Sequence, residues 1–223
     1  MNASINDQFK LTAAEEKFLF KKNLNQLVFI AGQFENLPVS LMKTTSIMND
    51  FMVDQVSPVA VWTILNLKRA FQYALTRQCA QLTFDDVLMI NQLVLGGDPT
   101  AGKVRTSAVR VRIGDTFWDL PMPNDATIAT INAIITARQS TTTKAITLNL
   151  ALSRAQLFTD GNKRTAMIAA NLLMLQGGTG IFGVPEKRLS EYGKKLADYY
   201  RSGQAAELQQ WLSETAVFGL KMY

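Results

Sequence analysis

Residues 158–165 read Phe-Thr-Asp-Gly-Asn-Lys-Arg-Thr and lie between two apolar stretches of the chain. The stretch before them is predicted to be a helix that runs to Gln156, and the central Asp-Gly-Asn triplet is a strong turn sequence. The stretch after them, from Ala166 to Leu172, is apolar almost all round, as is typical of a buried helix. The pattern therefore predicts a helix–turn–helix with an acid, a glycine and two cations in its turn.

The residue types in this turn predict a site for a phosphate group. Free backbone N–H groups at the start of a helix attract an anion, and Gly161 allows a ligand to approach the backbone closely. Arg164 can bind phosphate oxygens through two parallel hydrogen bonds, while Lys163 adds a point charge. Asp160 is placed to hold a magnesium ion against the same oxygens. The alternative interpretation is a capped helix–turn–helix whose charges face solvent.

The chain of 223 residues contains no histidine and a single cysteine, Cys79. This composition excludes Ser-His-Asp and Cys-His catalytic arrangements, HExxH-type zinc sites and structural zinc clusters. It also removes the commonest general base near neutral pH. The chemistry that remains is that of carboxylates, phosphates and magnesium.

Charge and hydropathy say little about a macromolecular partner. The 23 Lys and Arg against 18 Asp and Glu give a net charge of +5, and the cations are spread along the chain. Spread charges favour solvated helix faces over a nucleic-acid surface, which needs a basic block interleaved with aromatic residues. No apolar run approaches the ~20 residues of a membrane span, and the polar N-terminus has no signal core. We therefore expect a soluble, cytoplasmic protein that binds neither nucleic acid nor membrane.

Helical periodicity, with capping and breaking residues, predicts helices along most of the chain. Thr12 followed by Glu15 has the spacing of a capping box, and Ser57-Pro58 is an N-cap followed by proline at the first helical position. Helices are predicted from Thr12 to the break at Asn36-Leu37-Pro38, over 39–50, from Ser57-Pro58, from Thr83 to Gly96-Gly97, and over 125–138, 144–156, 164–176, 186–201 and 205–216.

One region alternates with the period of a strand. In Val109–Ile113 the apolar residues point one way and the two arginines the other, and Gly114-Asp115 is a plausible turn into Thr116–Trp118. We predict a single β-hairpin in an otherwise all-α chain, and it must pack on helices or serve a partner because a lone hairpin is marginally stable. Residues 1–80 are predicted to be a helical extension packed on a core of residues 81–223.

Two glycine motifs match nucleotide-binding patterns in letters only. Gly97–Lys103 spells the first seven positions of a P-loop, but the eighth is Val104, which has no hydroxyl, and a helix precedes the motif. Gly178–Gly183 spells GxGxxG, yet a helix precedes it and Val184-Pro185 follows directly, unlike the dinucleotide-binding fold. Both are predicted to be ordinary loops.

Residues 156–165, Gln-Leu-Phe-Thr-Asp-Gly-Asn-Lys-Arg-Thr, resemble the Fic/Doc (Fido) signature, HPFxDGNGR in its commonest form. The resemblance extends upstream over about a hundred residues, through Leu82-Thr83, Gly102–Arg105 and Val109–Gly114, which are similar to the stretch that leads into the family's flap. It implies a Fic-type helical bundle with a single β-hairpin flap. It also implies ATP or another nucleoside triphosphate with Mg as ligands, and transfer of AMP or another phosphate-containing group to a hydroxyl of a target protein. The flap, residues 106–120 here, would hold that target by strand addition.

The resemblance also assigns roles to single residues. It implies that Phe158 is the buried anchor of the loop and Asp160 the magnesium ligand. The implied phosphate-binding residues are Gly161, Asn162, Lys163 and Arg164. Three positions differ from the commonest form: Gln156 replaces the catalytic histidine, Lys163 replaces a glycine as in the Doc branch, where the γ-phosphate is transferred, and Met167 replaces a second arginine.

Regulation and activity stay open at this stage. Many Fic proteins carry an inhibitory helix with an (S/T)xxxE pattern, and Ser46-Ile-Met-Asn-Asp50 is a near match with Asp in place of Glu; the alternative is an ordinary helix C-terminus. A glutamine amide cannot take the proton of a target hydroxyl, and loss of a general base costs ~10²–10⁴ in rate. The chain is therefore either a slow or altered transferase or a catalytically inactive nucleotide-sensing module that binds a protein partner. Homo-oligomers are compatible with both.

Overall fold

The computed structural model describes residues 5–35, 37–113 and 116–219, without the side chains of residues 112, 113 and 116. Helices dominate these ranges, as the sequence predicts. The α-helices are α1 Ala13–Lys22, α2 Leu24–Gln33, α3 Leu41–Met48, α4 Pro58–Thr76, α5 Phe84–Leu95, α6 Asp125–Thr136, α7 Thr141–Ala155, α8 Asn162–Gly177, α9 Leu189–Ser202 and α10 Ala206–Thr215, with a 3₁₀ turn at Glu186–Arg188. The strands are β1 Val109–Ile113, β2 Thr116–Leu120, β3 Ile181–Phe182 and β4 Val217–Phe218. Within these ranges no helix combines the length and the apolar character that a membrane crossing requires.

The first predicted helix is divided in two at Asn23. The predicted capping box is present, since the Thr12 side chain accepts from the backbone N–H of Glu15 and the Glu15 carboxylate accepts from that of Thr12. At the other end, the Asn23 side-chain amide and its backbone N–H both donate to the carbonyl of Leu19. An asparagine that bonds locally in this way competes with helix continuation. The chain therefore turns at Asn23, and α2 takes its own direction into the core.

Helix α8 lies at the centre of the molecule. Every residue from Thr165 to Leu175 is buried, as expected for a helix that is apolar all round. Asn171 is one of two buried polar residues in this run, and its side chain donates to the carbonyl of Phe182 at 2.7 Å and accepts from the same residue's N–H at 2.9 Å. Burial of an amide is tolerated when its bonds are satisfied. Asn171 thereby attaches β3 to the central helix.

The hairpin β1–β2 is antiparallel, with Val109 paired to Leu120 and Val111 to Trp118. Its predicted turn at Gly114-Asp115 lies outside the described residues. The prediction of a single β-hairpin was incomplete, because β3 and β4 form a second antiparallel pair. Strands of two residues are too short to show alternation in a sequence. The prediction of an ordinary loop at Gly178–Gly183 was partly wrong, because residues 178–180 connect α8 to β3 but Ile181–Phe182 form that strand.

Residues 1–80 contribute to the same buried cluster as the rest of the chain. Phe20 and Phe71, 6.0 Å apart between ring centroids, belong to a core that also contains Met167 of α8. Arg77 at the end of α4 pairs with Asp86 of α5 at 2.8 Å. The N-terminal helices therefore pack directly on the helices that carry the 158–165 loop.

Candidate phosphate-binding site

The loop between α7 and α8 is closed by its own asparagine. Phe158 is buried, and its backbone N–H donates to Oδ1 of Asn162 at 3.0 Å. The Nδ2 of Asn162 donates back to the carbonyl of Phe158 at 2.9 Å. Both ends of the Asn162 amide are thus used inside the loop. Its predicted contact with phosphate is therefore limited to its backbone N–H at the start of α8.

Gln156 is the C-cap of α7 and adopts the left-handed conformation, with φ 46° and ψ 56°. Its Nε2 donates to the carbonyl of Ser153 at 2.7 Å, and its Oε1 accepts from Nδ2 of Asn162 at 3.1 Å. The Gln156 side chain is therefore part of the scaffold of the loop. It holds Asn162, which in turn holds Phe158.

Gly161 is required by both conformation and space. Its φ of 76° is one that side chains other than glycine rarely adopt, and an added Cβ would lie 3.1 Å from Nδ2 of Asn91 and from Cγ1 of Val94. Asn91 is a residue that sequence reasoning missed. Its Nδ2 donates to the carbonyl of Asp160 and to Oγ1 of Thr165, both at 3.1 Å.

Asn91 also joins a second loop to the site. Its Oδ1 accepts from the backbone N–H of Gly102 at 2.9 Å, so the P-loop-like stretch is clamped against residues 158–165. The sequence signal for Asn91 was its place as a polar residue on the face of α5 that also carries Ile90 and Val94, which is buried. A buried amide in such a position needs partners, but the sequence does not name them.

Arg164 lies in the site as predicted, but two carboxylates neutralise it. Its side chain is 5% exposed, with Nε 2.8 Å from Oε1 of Glu35 and one terminal nitrogen 3.2 Å from Oδ2 of Asp160. The Nε–H is buried and does not point at an acceptor with hydrogen-bond geometry. The contact with Glu35 is therefore an ion pair rather than a well-directed hydrogen bond.

The electrostatics around Glu35 and Lys163 show the effect of burial. Desolvation raises the pKa of the Glu35 carboxyl, and the charge of Arg164 opposes this rise. Desolvation lowers the pKa of Lys163, whose Nζ lies 5.8 Å from the centre of the Phe34 ring. Helix α8 begins without a side-chain cap and without an acid in its first turn. Its N-terminus is thus a positive site whose only described counter-charges are Glu35 and Asp160.

The near match to an inhibitory helix, Ser46 to Asp50, lies at the C-terminal end of α3. Ser46 hydrogen-bonds within α3 to the carbonyl of Met42, and Asp50 follows the C-cap of that helix with φ 61°. Neither forms an ion pair or hydrogen bond with the 158–165 loop in the described part of the chain, so the blander interpretation, an ordinary helix C-terminus, fits this segment. The acid that reaches the loop is Glu35.

Glu35 follows α2 and was missed because Ala31 stands where the (S/T)xxxE pattern requires a hydroxyl. Met167 is buried in the core. Glu35 forms its ion pair with Arg164. The Glu35 carboxylate is therefore paired with Arg164, the side chain that the sequence predicts to bind phosphate.

The hairpin is attached directly beside Gln156 through Arg105. Arg105 is buried, its Nε donates to the carbonyl of Gln156 at 2.6 Å, and its backbone N–H donates to the carbonyl of Leu157 at 2.9 Å. Its terminal nitrogens donate to the carbonyl of Ser107, before β1, and to that of Pro121, after β2, at 2.7 Å for the second. Both ends of the hairpin are thus fixed at the edge of the loop.

Asp160 fits a magnesium ion that is shared with phosphate oxygens. Its side chain is 65% exposed, and its Oδ1 accepts from the N–H of Gly161 at 2.6 Å. Magnesium is commonly held by one or two carboxylates together with the phosphates of a nucleotide. Among the described residues no cluster of three or more metal-binding side chains occurs, so a cage made of protein ligands alone is not formed there.

Comparison with known families agrees with this geometry. Residues 81–174, which include the hairpin, the loop and most of α8, match the Fic/DOC family. This part of the chain is therefore similar to Fic/DOC family domains. No curated protein matches the chain as a whole.

Solved structures with the Fic fold resemble most of the chain. Fic-1 (residues 134–508) from C. elegans is similar with a TM-score of 0.75 and 19% identity, over 92% of this chain and 63% of that one. A Fic domain containing signaling protein from Bacteroides thetaiotaomicron gives 0.74 and 14%, over 92% and 87%. IbpAFic2, in a structure covalently tethered to Cdc42, gives 0.53 and 13%, over 95% and 66%. These structural similarities show the fold alone, and this chain covers less than two thirds of the C. elegans chain in that structure.

Proposed function

We propose that the protein binds a nucleoside triphosphate with magnesium through residues 158–165. The observation that carries this proposal is the state of Arg164: a buried guanidinium that is already held against the carboxylate of Glu35, with an Nε–H that no acceptor satisfies. A phosphate offers several acceptor oxygens to such a fork. The uncapped start of α8 adds free backbone N–H groups aimed at the same anion.

Each residue of the loop has a distinct part in this proposal. Arg164 and Lys163 neutralise phosphate charge, and Gly161 leaves the backbone open to the ligand. Asp160 would hold the magnesium ion, which supplies charge neutralisation on the phosphate oxygens when bound. Asn162 keeps the loop in shape through Phe158 rather than through its own amide contact with the ligand.

Nucleotide binding and the Glu35 contact exclude one another in this proposal. A phosphate that pairs with Arg164 must replace the Glu35 carboxylate, since both need the same buried guanidinium. The free energy of nucleotide binding then includes the difference between the free energies of two ion pairs, phosphate with Arg164 and Glu35 with Arg164. Glu35 acts as a built-in competitor, in the place where the sequence suggested Asp50.

The geometry favours a nucleotide-sensing binding module over an efficient transferase. Both ends of the Gln156 amide are hydrogen-bonded within the loop, and an amide cannot act as a general base. A slow or altered transfer of AMP or phosphate to a protein hydroxyl is the second candidate, because the anion site and Asp160 are intact. The fold similarity to IbpAFic2, which was solved covalently tethered to Cdc42, supports a protein target, and in this proposal the 106–120 hairpin would hold that target.

The two candidates are separated by labelled ATP. The parent protein and Gln156→His are incubated with Mg-ATP carrying label at the α or the γ position, alone and with lysate. We expect binding by both proteins and transfer that is absent or slow in the parent, with a gain of at most ~10²–10⁴-fold in the histidine variant. If the parent labels lysate proteins rapidly, at the same rate as Gln156→His, the binding-module interpretation is contradicted. Label from the γ position would indicate the Doc-like chemistry that Lys163 suggests.

A further inference from the structure

A cavity of about 420 Å³ lies between the end of the hairpin and the helices α6 and α7. Its wall is mostly apolar, with Leu120 of β2, Ile131 of α6 and Ala151 of α7 among the lining residues. Among the described residues, neither a member of the 158–165 loop nor an acid lines it. Its volume is within the ~300–1,000 Å³ of small-molecule sites. The cavity is therefore a second candidate site, separate from the proposed phosphate site.

Arg154, near the end of α7, is the one charged side chain among the described residues that line this cavity. The central carbon of its guanidinium lies 5.1 Å from the centre of the Trp118 ring and 5.7 Å from that of Tyr199. In the part of the chain that the structure describes, no carboxylate comes within ion-pair distance of it. An arginine can stack on aromatic rings while its N–H groups bind a carboxylate in the plane of the guanidinium.

The hydrogen bonds that Arg154 forms inside the protein are long. Its Nε and one terminal nitrogen share the carbonyl of Tyr200 as acceptor at 3.4 and 3.5 Å, beyond the roughly 2.7–3.2 Å of ordinary N–H···O bonds. Because Tyr200 lies in the last turns of α9, the alternative interpretation is a cation that stabilises a helix end. That role uses one acceptor and leaves the other N–H groups of the guanidinium for a ligand.

The two threonine hydroxyls in the wall already have partners. Thr127 donates to Oδ1 of Asn124 at 3.0 Å, and Thr130 donates to the carbonyl of Ala126 at 2.8 Å. Arg154 therefore supplies the strongest available donors of the cavity, and they carry a positive charge. A single cation in an apolar wall matches a ligand with one negative charge and an apolar body.

We propose that this cavity binds a small apolar monocarboxylate, whose carboxylate pairs with Arg154 and whose apolar body packs on Trp118 and Ile131. A carboxylate accepts two parallel hydrogen bonds from a guanidinium, which fixes the orientation of the ligand. A triphosphate is a poor match, because its several negative charges would meet one cation. The inference goes beyond nucleotide binding at the 158–165 loop and does not depend on it.

The position of the cavity links its ligand to the hairpin. Trp118 and Leu120 belong to β2, and Pro121, which follows β2, also lines the cavity and accepts from Arg105 at 2.7 Å. A two-stranded hairpin is marginally stable without packing partners. A ligand that fills the space between β2 and α6 would therefore fasten the hairpin on the helices.

The experiment titrates the full chain with hexanoate and with 4-phenylbutyrate, and calorimetry measures the binding. Acetate, which lacks an apolar body, and 4-phenylbutanol, which lacks a charge, are the matched controls. We expect a Kd of about 1 mM or lower for at least one of the two larger acids, and binding of both controls weaker by about tenfold or more. At a concentration ten times its Kd, the bound acid should slow hydrogen exchange in β1 and β2 by about tenfold, since opening of the hairpin requires its release.

Three variants test the assignment of the site. Arg154→Gln should lose most of the binding, while Arg69→Gln, which removes an exposed arginine of α4 outside the cavity, should keep it. Ala151→Leu leaves Arg154 in place but fills the cavity, and it should weaken binding by about tenfold or more. Circular dichroism checks that each variant is folded, so that a role of Arg154 at the end of α9 alone is separated from a role in binding.

The outcomes that would overturn this inference are distinct from those that concern nucleotide. Absence of binding by both larger acids, equal binding by the parent and Arg154→Gln, or unchanged exchange of the hairpin in the bound protein would overturn it. Failure of Mg-ATP binding would overturn the proposed function and leave this inference intact, because the 158–165 loop does not line the cavity.

Discussion

Glu35 lies with its Oε1 2.8 Å from Nε of Arg164, the one arginine of the 158–165 loop. Two elements far apart in the sequence meet here, the end of α2 and the first turn of α8. A partly exposed carboxylate on a buried guanidinium forms an ion pair that another anion can replace. This pair connects the N-terminal helices to the loop for which nucleotide binding is proposed.

The pH dependence of nucleotide binding should report on Glu35. Burial raises the pKa of the Glu35 carboxyl, so Glu35 loses its charge at a higher pH than an ordinary glutamate as the pH falls towards about 4.3, the ordinary glutamate value. Once Glu35 is neutral, the parent protein should bind Mg-ATP with a Kd closer to that of Glu35→Gln. The nucleotide's own titration affects both proteins equally, so the ratio of the two Kd values should shrink towards one. A ratio that stays constant over this range would show that Glu35 does not compete.

Asn91 should be essential for the shape of the loop. Asn91→Ala leaves the carbonyl of Asp160, the hydroxyl of Thr165 and the N–H of Gly102 without this partner, and unsatisfied buried groups cost about 1–3 kcal/mol each. We expect a loss of at least about 2 kcal/mol in the free energy of unfolding, measured in urea.

The matched control for this change is Asn132→Ala, an exposed position on α6 that should change stability by less than about 0.5 kcal/mol. Equal effects of the two substitutions would mean that Asn91 is an ordinary helix residue. Loss of Mg-ATP binding by Asn91→Ala in its folded state would link the clamp to the site.

Arg105 should hold the hairpin on the 158–165 loop. It donates to the carbonyl of Gln156 in the loop at 2.6 Å and to that of Pro121 after β2 at 2.7 Å. Lysine has a single ammonium group in place of the guanidinium fork and cannot bond both carbonyls in the same way. Arg105→Lys should speed hydrogen exchange of amides in β1 and β2 by about tenfold or more, since a hydrogen bond to a charged group contributes about 1.5–3 kcal/mol. Arg110→Lys, on the exposed face and paired with Asp119, is the control and should have little effect. Unchanged exchange in Arg105→Lys would refute the anchor.

Glu16 should make stability depend on pH. Its side chain is fully buried, one oxygen accepts from the N–H of Gly180 at 3.0 Å, and the other has no partner. Burial raises the pKa of Glu16 to about 7 from the ordinary 4.5, so the folded protein holds this proton more tightly than the unfolded chain. The free energy of unfolding should therefore fall as the pH rises between these two values and level off above about 7.

Glu16→Gln should remove most of that slope and stabilise the protein at about pH 8 by up to about 3 kcal/mol. Glu214→Gln, an exposed change on α10, should keep the slope of the parent. Urea unfolding at several pH values measures both. A parent slope that survives in Glu16→Gln would assign the pH dependence to another group.

Much of the fold could be predicted because local patterns and packing agree. The all-round apolar composition of α8 predicted its burial, and the alternation of apolar residues and arginines predicted β1. The break at Asn23 could not be predicted, since apolar periodicity continues across it while a side-chain hydrogen bond ends α1. Glu35 and Asn91 were missed for a related reason: their roles depend on partners about 70 or more residues away in the sequence.

The central claim is that a phosphate replaces Glu35 on Arg164, and calorimetric titration with Mg-ATP tests it most directly. The parent, Glu35→Gln, Asp50→Asn and Glu35→Gln with Arg164→Lys are compared, each checked for folding by circular dichroism. We expect Glu35→Gln to bind about tenfold more tightly than the parent, equivalent to about 1.4 kcal/mol. Asp50→Asn should match the parent, and the double variant should lose most of the affinity. Equal affinity in all four proteins, or no binding by Glu35→Gln, would contradict the account.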